Sequence, residues 1–315
     1  MRLVFIFTML CATLVHGQSV VTDDIARYFQ MVDSLGYQQN RSDSLAWVQK
    51  AYLDRASEGF KKFQKVRDLN PEYYLRNLER YPEFWRTIRP KLEALPNRVG
   101  EVDSVLDAFE ARLPKFKRPR VCFAVGVLST GGTIKGDWLL IGAEIVISDS
   151  TTDKSELNSW LQSVMYEEDQ LEPFIAHEAI HTQQKITPSV VWGYLFKSKA
   201  TMTVVEGSAD YIPRAVLGYM TINPRIYEYG YAHEVELKKE YAADLKTNDY
   251  SDWLYNGNQS VGRPADLGYF IGHQICAAYV AQAKDPEKAI QDVIYCRKPW
   301  KILKKSGYLS TPQSN

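Results

Sequence analysis

The chain has 315 residues, of which 45% are hydrophobic and 24% charged, and this composition is typical of a globular protein and excludes an intrinsically disordered chain. Its 38 Lys and Arg residues balance 38 Asp and Glu residues, so no basic excess suggests binding to nucleic acid or to an anionic membrane surface. The function therefore has to be sought in a local site.

The first segment has the pattern of a secretory signal. Arg2 precedes an apolar run over residues 3–15, and Gly17 offers a small residue for cleavage. The run is too short to span a bilayer, and Cys11 lacks the small residue that a lipoprotein signal places before its cysteine. The sequence predicts a signal peptide at residues 1–17, with a buried N-terminal helix as the alternative. We expect a soluble protein, periplasmic or extracellular, without a lipid anchor or a transmembrane segment.

Three cysteines remain after this segment, namely Cys122, Cys276 and Cys296. In a compartment that permits disulfides, the simplest expectation is a bridge between Cys276 and Cys296 and one buried free thiol. Nothing nearby in the sequence supports a nucleophilic cysteine paired with a histidine.

Residues 18–118 are predicted to form a helical N-terminal portion. Apolar residues recur at three- and four-residue spacing over residues 23–112, and Asn70 before Pro71 and the later Pro82 mark helix starts. We interpret the aromatic residues of this portion as packing residues. No chemistry is predicted for it.

A β-rich stretch follows at residues 120–148. Two apolar runs flank a glycine-rich connection, which predicts a hairpin or two neighbouring strands. Gly131 and Gly132 are not followed by the Lys-Ser/Thr and helix of a phosphate loop, so a turn is predicted there.

After Asp153 the pattern is helical almost to the end of the chain. The predicted helices cover residues 156–166, 172–185, 202–218, 227–244 and 265–283, with a short one from Glu287. The predicted fold is therefore mainly α with a small β-sheet (α+β).

One predicted helix carries the pattern His-Glu-x-x-His as His177, Glu178 and His181, in a chain with only 5 histidines. Residues four apart share a helix face, so both imidazoles can bind one metal ion. Glu178 lies about 100° around the helix, where it can reach a water bound to that ion. The pattern predicts one Zn²⁺ per chain. Gln183 stands where such helices more often carry an apolar residue, which predicts an exposed C-terminal end.

The third ligand is expected to be Glu206, in the stretch "VVEGSADYI". The small residues that follow it allow another helix to approach closely. Asp210 stands one helical turn beyond on the same face, where a carboxylate can accept the outer N–H of a ligating histidine.

This set of residues resembles the gluzincins, the thermolysin-like metallopeptidases that bind zinc through two His and one Glu. The segments "EGSADYI", "GRPADLGYFIGHQICAAYV" and "ILKKSGYLS" are similar to the bacterial family of predicted zinc-dependent proteases that includes gliding-motility lipoprotein B-like proteins. The resemblance covers about the last half of the chain, and the absent lipoprotein cysteine departs from the lipoprotein members. It implies a zincin-like catalytic domain at residues 119–315, with the N-terminal helices added, and a peptide or protein substrate.

The resemblance also implies a strand above the site that pairs with an extended peptide, and "DWLLIGAEIVIS" is the candidate. Related enzymes place a Tyr or His on a late helix to stabilise the oxyanion, which points to Tyr269 and His273. His233 is a further candidate for the site, and Arg263 could bind a substrate carboxylate. The alternative for the aromatic residues is core packing, and for Arg263 a surface ion pair.

The favoured hypothesis is an exported zinc metallopeptidase in which Glu178 activates a zinc-bound water. The alternative is a catalytically silent zinc-binding scaffold or binding protein of the cell envelope. Glu178 argues against it, because binding alone needs no base there. A helical structural protein with an accidental motif is disfavoured by the pairing of Glu206 with Asp210.

Overall fold

The computed structural model describes residues 19–310 apart from 197, 219–221, 246, 248 and 258–259. The predicted signal peptide at residues 1–17 lies outside these residues. Within the described chain, no helix combines the length and apolar character that crossing a bilayer requires.

The N-terminal portion is helical, as predicted. Its α-helices are α1 (Asp23–Asp33), α2 (Arg41–Ala51), α3 (Glu58–Arg67), α4 (Pro71–Arg80), α5 (Pro82–Ala94) and α6 (Val99–Arg112). The predicted starts of α4 and α5 are confirmed, since the Asn70 side chain accepts the N–H of Tyr73 and a proline opens each helix. Tyr28 packs against Tyr52 and Trp85 in the buried core, which confirms the packing interpretation for these aromatic residues.

One mixed sheet of four strands has the order β1-β2-β4-β3. The strands are β1 (Val20–Val21), β2 (Arg120–Ala124), β3 (Gly132–Lys135) and β4 (Trp138–Gly142). β2 runs parallel to both β1 and β4, whereas β3 runs antiparallel to β4. Strand β3 therefore lies at one edge of the sheet, and β1, from the N-terminal portion, lies at the other.

The two predicted β-rich runs are parallel neighbours, and part of the glycine-rich connection is itself strand β3. The second run is not a strand throughout, because α7 (Ala143–Val146) begins directly after Gly142. The buried Glu144 carboxylate accepts the backbone N–H groups of Gly126 and Leu128, which holds this helical turn against the preceding loop. The prediction that "DWLLIGAEIVIS" pairs with a peptide is wrong, because β4 has strands on both sides.

The remaining helices form the C-terminal portion. They are α8 (Ser159–Val164), α9 (Leu171–Gln183), α10 (Pro188–Leu195), α11 (Lys199–Leu217), α12 (Pro224–Ala232), α13 (Glu234–Asp244), α14 (Gly268–Ala281), α15 (Pro286–Tyr295) and α16 (Pro299–Ser306). The helix predicted over residues 227–244 is two helices, which meet at His233. The prediction of a mainly α fold with a small sheet is confirmed.

Helices α11 and α14 cross with their backbones in contact at two glycines. A Cβ built on Gly272 would lie 1.9 Å from the Thr203 carbonyl oxygen, and one on Gly207 would lie 2.0 Å from the Gly272 carbonyl carbon. No side chain fits at either position. The crossing fixes Glu206, next to Gly207, relative to the residues of α14.

The buried core extends from the N-terminal helices through the sheet to the C-terminal helices. The division into domains at residue 119 stays a prediction. The expected Cys276–Cys296 bridge is absent, because Cys122, Cys276 and Cys296 are all buried free thiols. Burial raises the pKa of each thiol, so these side chains act as small apolar core residues.

Candidate metal centre

Three side chains from α9 and α11 bring one nitrogen or oxygen atom each to a common point. The Nε2 atoms of His177 and His181 are 3.0 Å apart. The Glu206 Oε2 atom lies 3.6 Å from the first and 3.3 Å from the second. Their proximity follows from the turn of α9, which stacks the two histidines, and from the packing of α11 against α9.

These spacings fit a zinc ion. Zinc binds nitrogen and oxygen at about 2.0–2.2 Å, so two ligand atoms of a regular tetrahedron lie about 3.3–3.6 Å apart. The two separations that involve Glu206, 3.3 and 3.6 Å, fall in this range, and the separation of 3.0 Å between the imidazoles is slightly shorter. Two imidazoles and one carboxylate leave a fourth position open, as in zinc hydrolases. His177, His181 and Glu206 could therefore hold the ion.

A second layer of hydrogen bonds orients both histidines. His177 Nδ1 lies 2.6 Å from Asp210 Oδ1, and the Tyr227 hydroxyl donates to the other oxygen of Asp210. His181 Nδ1 lies 3.0 Å from the Gln184 Oε1 atom. In each case the partner is an acceptor, which places a proton on Nδ1 and leaves the Nε2 lone pair free for a metal ion.

The charges of the cluster favour a cation at this point. Burial lowers the pKa of His177, but the charge and hydrogen bond of Asp210, together with Glu206 and Glu178, raise it to about 10. Burial raises the pKa of Glu206, but His181 and His177 hold it well below its usual range. Positive charge between the imidazoles and Glu206 is therefore stabilised by these carboxylates.

The Glu178 carboxylate lies beside the three side chains that converge on the common point, but it is not one of them. One of its carboxylate oxygens and a nitrogen of each histidine all lie within 4.8 Å of one another. The direct contacts with the histidines come from Glu206 and Asp210 instead. The Glu178 carboxylate is therefore free to accept a proton from a group bound next to the metal ligands.

The cluster opens into a cleft of about 530 Å³, which is also lined by residues of edge strand β3. A Cβ built on Gly132 would lie 2.8 Å from the Glu178 Cδ atom, so the start of β3 lies directly against this carboxylate. Because β3 is an edge strand, an extended peptide can pair with its free side and pass Glu178.

Tyrosine side chains line the same cleft. Tyr269 stacks on His177 with ring centroids 6.0 Å apart, so the structure brings this predicted residue to the site. Tyr255 donates to Glu206 Oε1 at 2.6 Å. Burial and the charge of Glu206 raise the pKa of both tyrosines, so each keeps the proton that it could donate. Tyr255 has a left-handed φ of 58°, a strained conformation for a non-glycine residue.

Three predicted residues lie away from the cleft. His273 is buried behind Asp210, with its ring against Tyr227 and Tyr211 and its Nδ1 near Gln274. Although it follows Tyr269 by four residues, the two are not brought to the same site. The other two are engaged elsewhere: the His233 ring stacks on Tyr229, and Arg263 forms an ion pair with Glu240 and covers the Trp253 ring.

The prediction that Gln183 marks an exposed helix end is also wrong, since Gln183 is only 3% exposed. Its amide accepts the Lys117 N–H at 2.9 Å and donates to the Lys117 carbonyl at 2.9 Å. This pair of hydrogen bonds lets a polar side chain occupy a core position.

Sequence reasoning missed three residues of the site. Gln184 comes three residues after His181, and this position one turn beyond the motif was a usable signal. Tyr255 lies in a loop before α14, and Arg67 is the last residue of α3. Neither belongs to a motif, because both reach the cleft only through the tertiary fold.

Residues 151–294 match the model of a family described as predicted Zn-dependent protease (DUF2268). The matched region contains both histidines, Glu178, Glu206 and the crossing of α11 with α14. This match and the His-Glu-x-x-His cluster fit a zinc protease of the HExxH type. No curated protein and no solved structure matches the chain.

Proposed function

We propose that the protein is a zinc metallopeptidase that hydrolyses peptide bonds. The observation that carries the proposal is the convergence of His177, His181 and Glu206 beside a separate carboxylate, Glu178, in an open cleft. Binding of zinc alone would not need a carboxylate outside the ligand set.

His177, His181 and Glu206 would hold the zinc ion, while Asp210 and Gln184 orient the two imidazoles. A zinc ion bound here would act as a Lewis acid, which polarises a carbonyl group and makes a water more acidic. Glu178 accepts the proton of the attacking water and returns it to the leaving amine.

The cleft also offers groups for substrate binding and for the oxyanion. Strand β3 pairs with the peptide backbone, which places the bond to be cleaved near Gly132 and Glu178. The neutral hydroxyl of Tyr269 is the candidate to stabilise the negative charge that develops on the carbonyl oxygen, since the Tyr255 hydroxyl already donates its proton to Glu206.

We also infer that the protein is exported. The basic residue Arg2, the apolar run at residues 3–15 and the small residue Gly17 support a signal peptide. Comparison of the N-terminal sequence of the protein from whole cells and from the exported fraction tests this inference.

The function is tested by zinc content and peptide hydrolysis of the wild type and of His177→Ala. After dialysis we expect about one zinc per wild-type chain and almost none in the variant, because two remaining ligands hold zinc weakly. Hydrolysis of a broad peptide library should be lost together with the metal. His233→Ala is the matched control, since it removes a histidine outside the cleft, and it should retain both zinc and activity.

A wild type that binds no zinc would contradict the proposal. Zinc binding without hydrolysis of any peptide in the library would instead favour the silent scaffold.

Replacement of Asp210 by Asn should weaken zinc binding about 10-fold, within the range of roughly 10–100-fold found for such outer partners of metal ligands. The amide oxygen can still accept from His177, but the negative charge beside the imidazole is lost. Competition with a chromogenic chelator measures the zinc Kd. Tyr227→Phe is the control, because it removes only the hydrogen bond on the far side of Asp210 and should change the Kd less. Equal affinities of wild type and Asp210→Asn would contradict this role.

A further inference from the structure

Arg67 is a cation in the cleft that forms no ion pair within the described chain. It is partly buried, and it lines the same cleft as Glu178. One Nη atom donates to the Thr130 hydroxyl at 2.9 Å, whereas the buried Nε atom has no hydrogen-bond partner among the described residues. Two other partly buried arginines differ: Arg98 pairs with two carboxylates and Arg118 with three.

A guanidinium in this position favours an anion. Burial lowers the pKa of Arg67, and the charge of Glu178, acting through space, opposes this change. Arginine nevertheless stays protonated in proteins, so its charge remains in the cleft with part of its hydration removed. A bound carboxylate would restore the lost interactions, and it matches the planar fork of the guanidinium in two parallel hydrogen bonds.

Arg67 is tied to the strand that would pair with substrate. The Thr130 hydroxyl, which accepts from Arg67, donates to the Gly132 carbonyl at 2.7 Å, and Gly132 lies against Glu178. Thr130 lies two residues before Gly132, at the bend that precedes β3, so Arg67 is held beside the end of this strand that lies against Glu178. On a peptide paired with β3, Arg67 therefore faces a position one or two residues from the bond beside Glu178.

We propose that Arg67 binds a carboxylate of the substrate, supplied by an acidic side chain or by a free C-terminus within two residues of the cleaved bond. The inference rests on the proposed peptidase function and names its substrate class. It also gives the N-terminal helical portion, through α3, a part in substrate recognition.

The test compares peptides that differ only in one carboxylate. One series carries Glu or Gln at each position around a fixed central sequence, and a second carries a free or an amidated C-terminus. Affinities are measured with zinc-loaded Glu178→Gln protein, so that binding is read without turnover. We expect one carboxylate to tighten binding about 10- to 100-fold, as charge-assisted hydrogen bonds do, and Arg67→Gln to abolish that preference.

Two further variants separate charge from structure. Thr130→Val removes the hydrogen bond to Arg67 but leaves the guanidinium, so the preference should persist. Arg67→Met keeps the apolar stem and serves in place of Arg67→Gln should that variant not fold.

Each outcome decides the inference. A preference for Glu at one position identifies an acidic side chain as the ligand, and a preference for the free terminus identifies an enzyme that trims C-termini. Equal affinities, or a preference that survives loss of Arg67, would overturn the inference and leave the peptidase proposal standing. An Arg67-dependent preference in a protein whose wild type cleaves no peptide would support the carboxylate site and count against the peptidase.

Discussion

Glu178→Gln is expected to lower kcat for peptide hydrolysis by about 1,000-fold, in the middle of the range for loss of a general base. Glutamine has the size of glutamate but cannot accept a proton from water. The histidine contacts in the cluster come from Glu206 and Asp210, so zinc content should stay at the wild-type level. Steady-state kinetics on a cleaved peptide, with metal analysis of the same sample, measure both quantities.

Glu172→Gln is the matched control for this experiment. Glu172 lies in the first turn of the same helix and does not line the cleft, so this variant should retain activity. A Glu178→Gln protein that keeps both zinc and full activity would exclude Glu178 as the base. Loss of zinc together with activity would instead indicate that Glu178 takes part in metal binding.

Gly272→Ala is expected to destabilise the fold by at least about 3 kcal/mol, the upper end of ordinary overpacking. The added Cβ would lie 1.9 Å from the Thr203 carbonyl oxygen, which belongs to the backbone of α11 and cannot rotate away. Helices α11 and α14 would have to separate, and this would displace Glu206 from the histidines. Chemical denaturation measures the loss of stability, and a chelator titration measures the accompanying loss of zinc affinity.

Gly100→Ala provides the comparison, since Gly100 lies in α6 and a Cβ there meets nothing within 4 Å. Alanine is the better helix former by roughly 0.5–1 kcal/mol, so this variant should be as stable as the wild type or more so. Wild-type stability in Gly272→Ala would mean that α11 and α14 do not cross in backbone contact.

The parts of the site that could be predicted from the sequence depend on helix periodicity. His177 and His181 are one turn apart, as are Glu206 and Asp210, so each pair lies on one face without knowledge of the fold. The small residue Gly207 correctly indicated a close helix crossing. The mainly α character and the small sheet followed from the same local patterns.

The remaining features depend on contacts between distant segments. Tyr269 and His273 are four residues apart on α14, yet only Tyr269 reaches the cleft. The His273 ring is instead held between Tyr211 and Tyr227, which belong to α11 and α12. Strand β3 contains only four residues within a glycine-rich connection, and its position at the sheet edge is set by strand pairing. Arg67 is about 110 residues from the motif and carries no local signal.

The pairing of β1 with β2 also affects how the chain acquires its structure. Val20 aligns with Val121, so this contact closes a loop of about 100 residues. Such contacts slow folding, because the chain must lose the conformational entropy of the loop before the contact can stabilise it. Strand β1 has only two residues, too few to be stable before β2 is present. During synthesis, residues 20–21 therefore stay unpaired until the segment at residues 120–124 is available. We expect this edge of the sheet to form late and to be the first to lose hydrogen-exchange protection under mild denaturation.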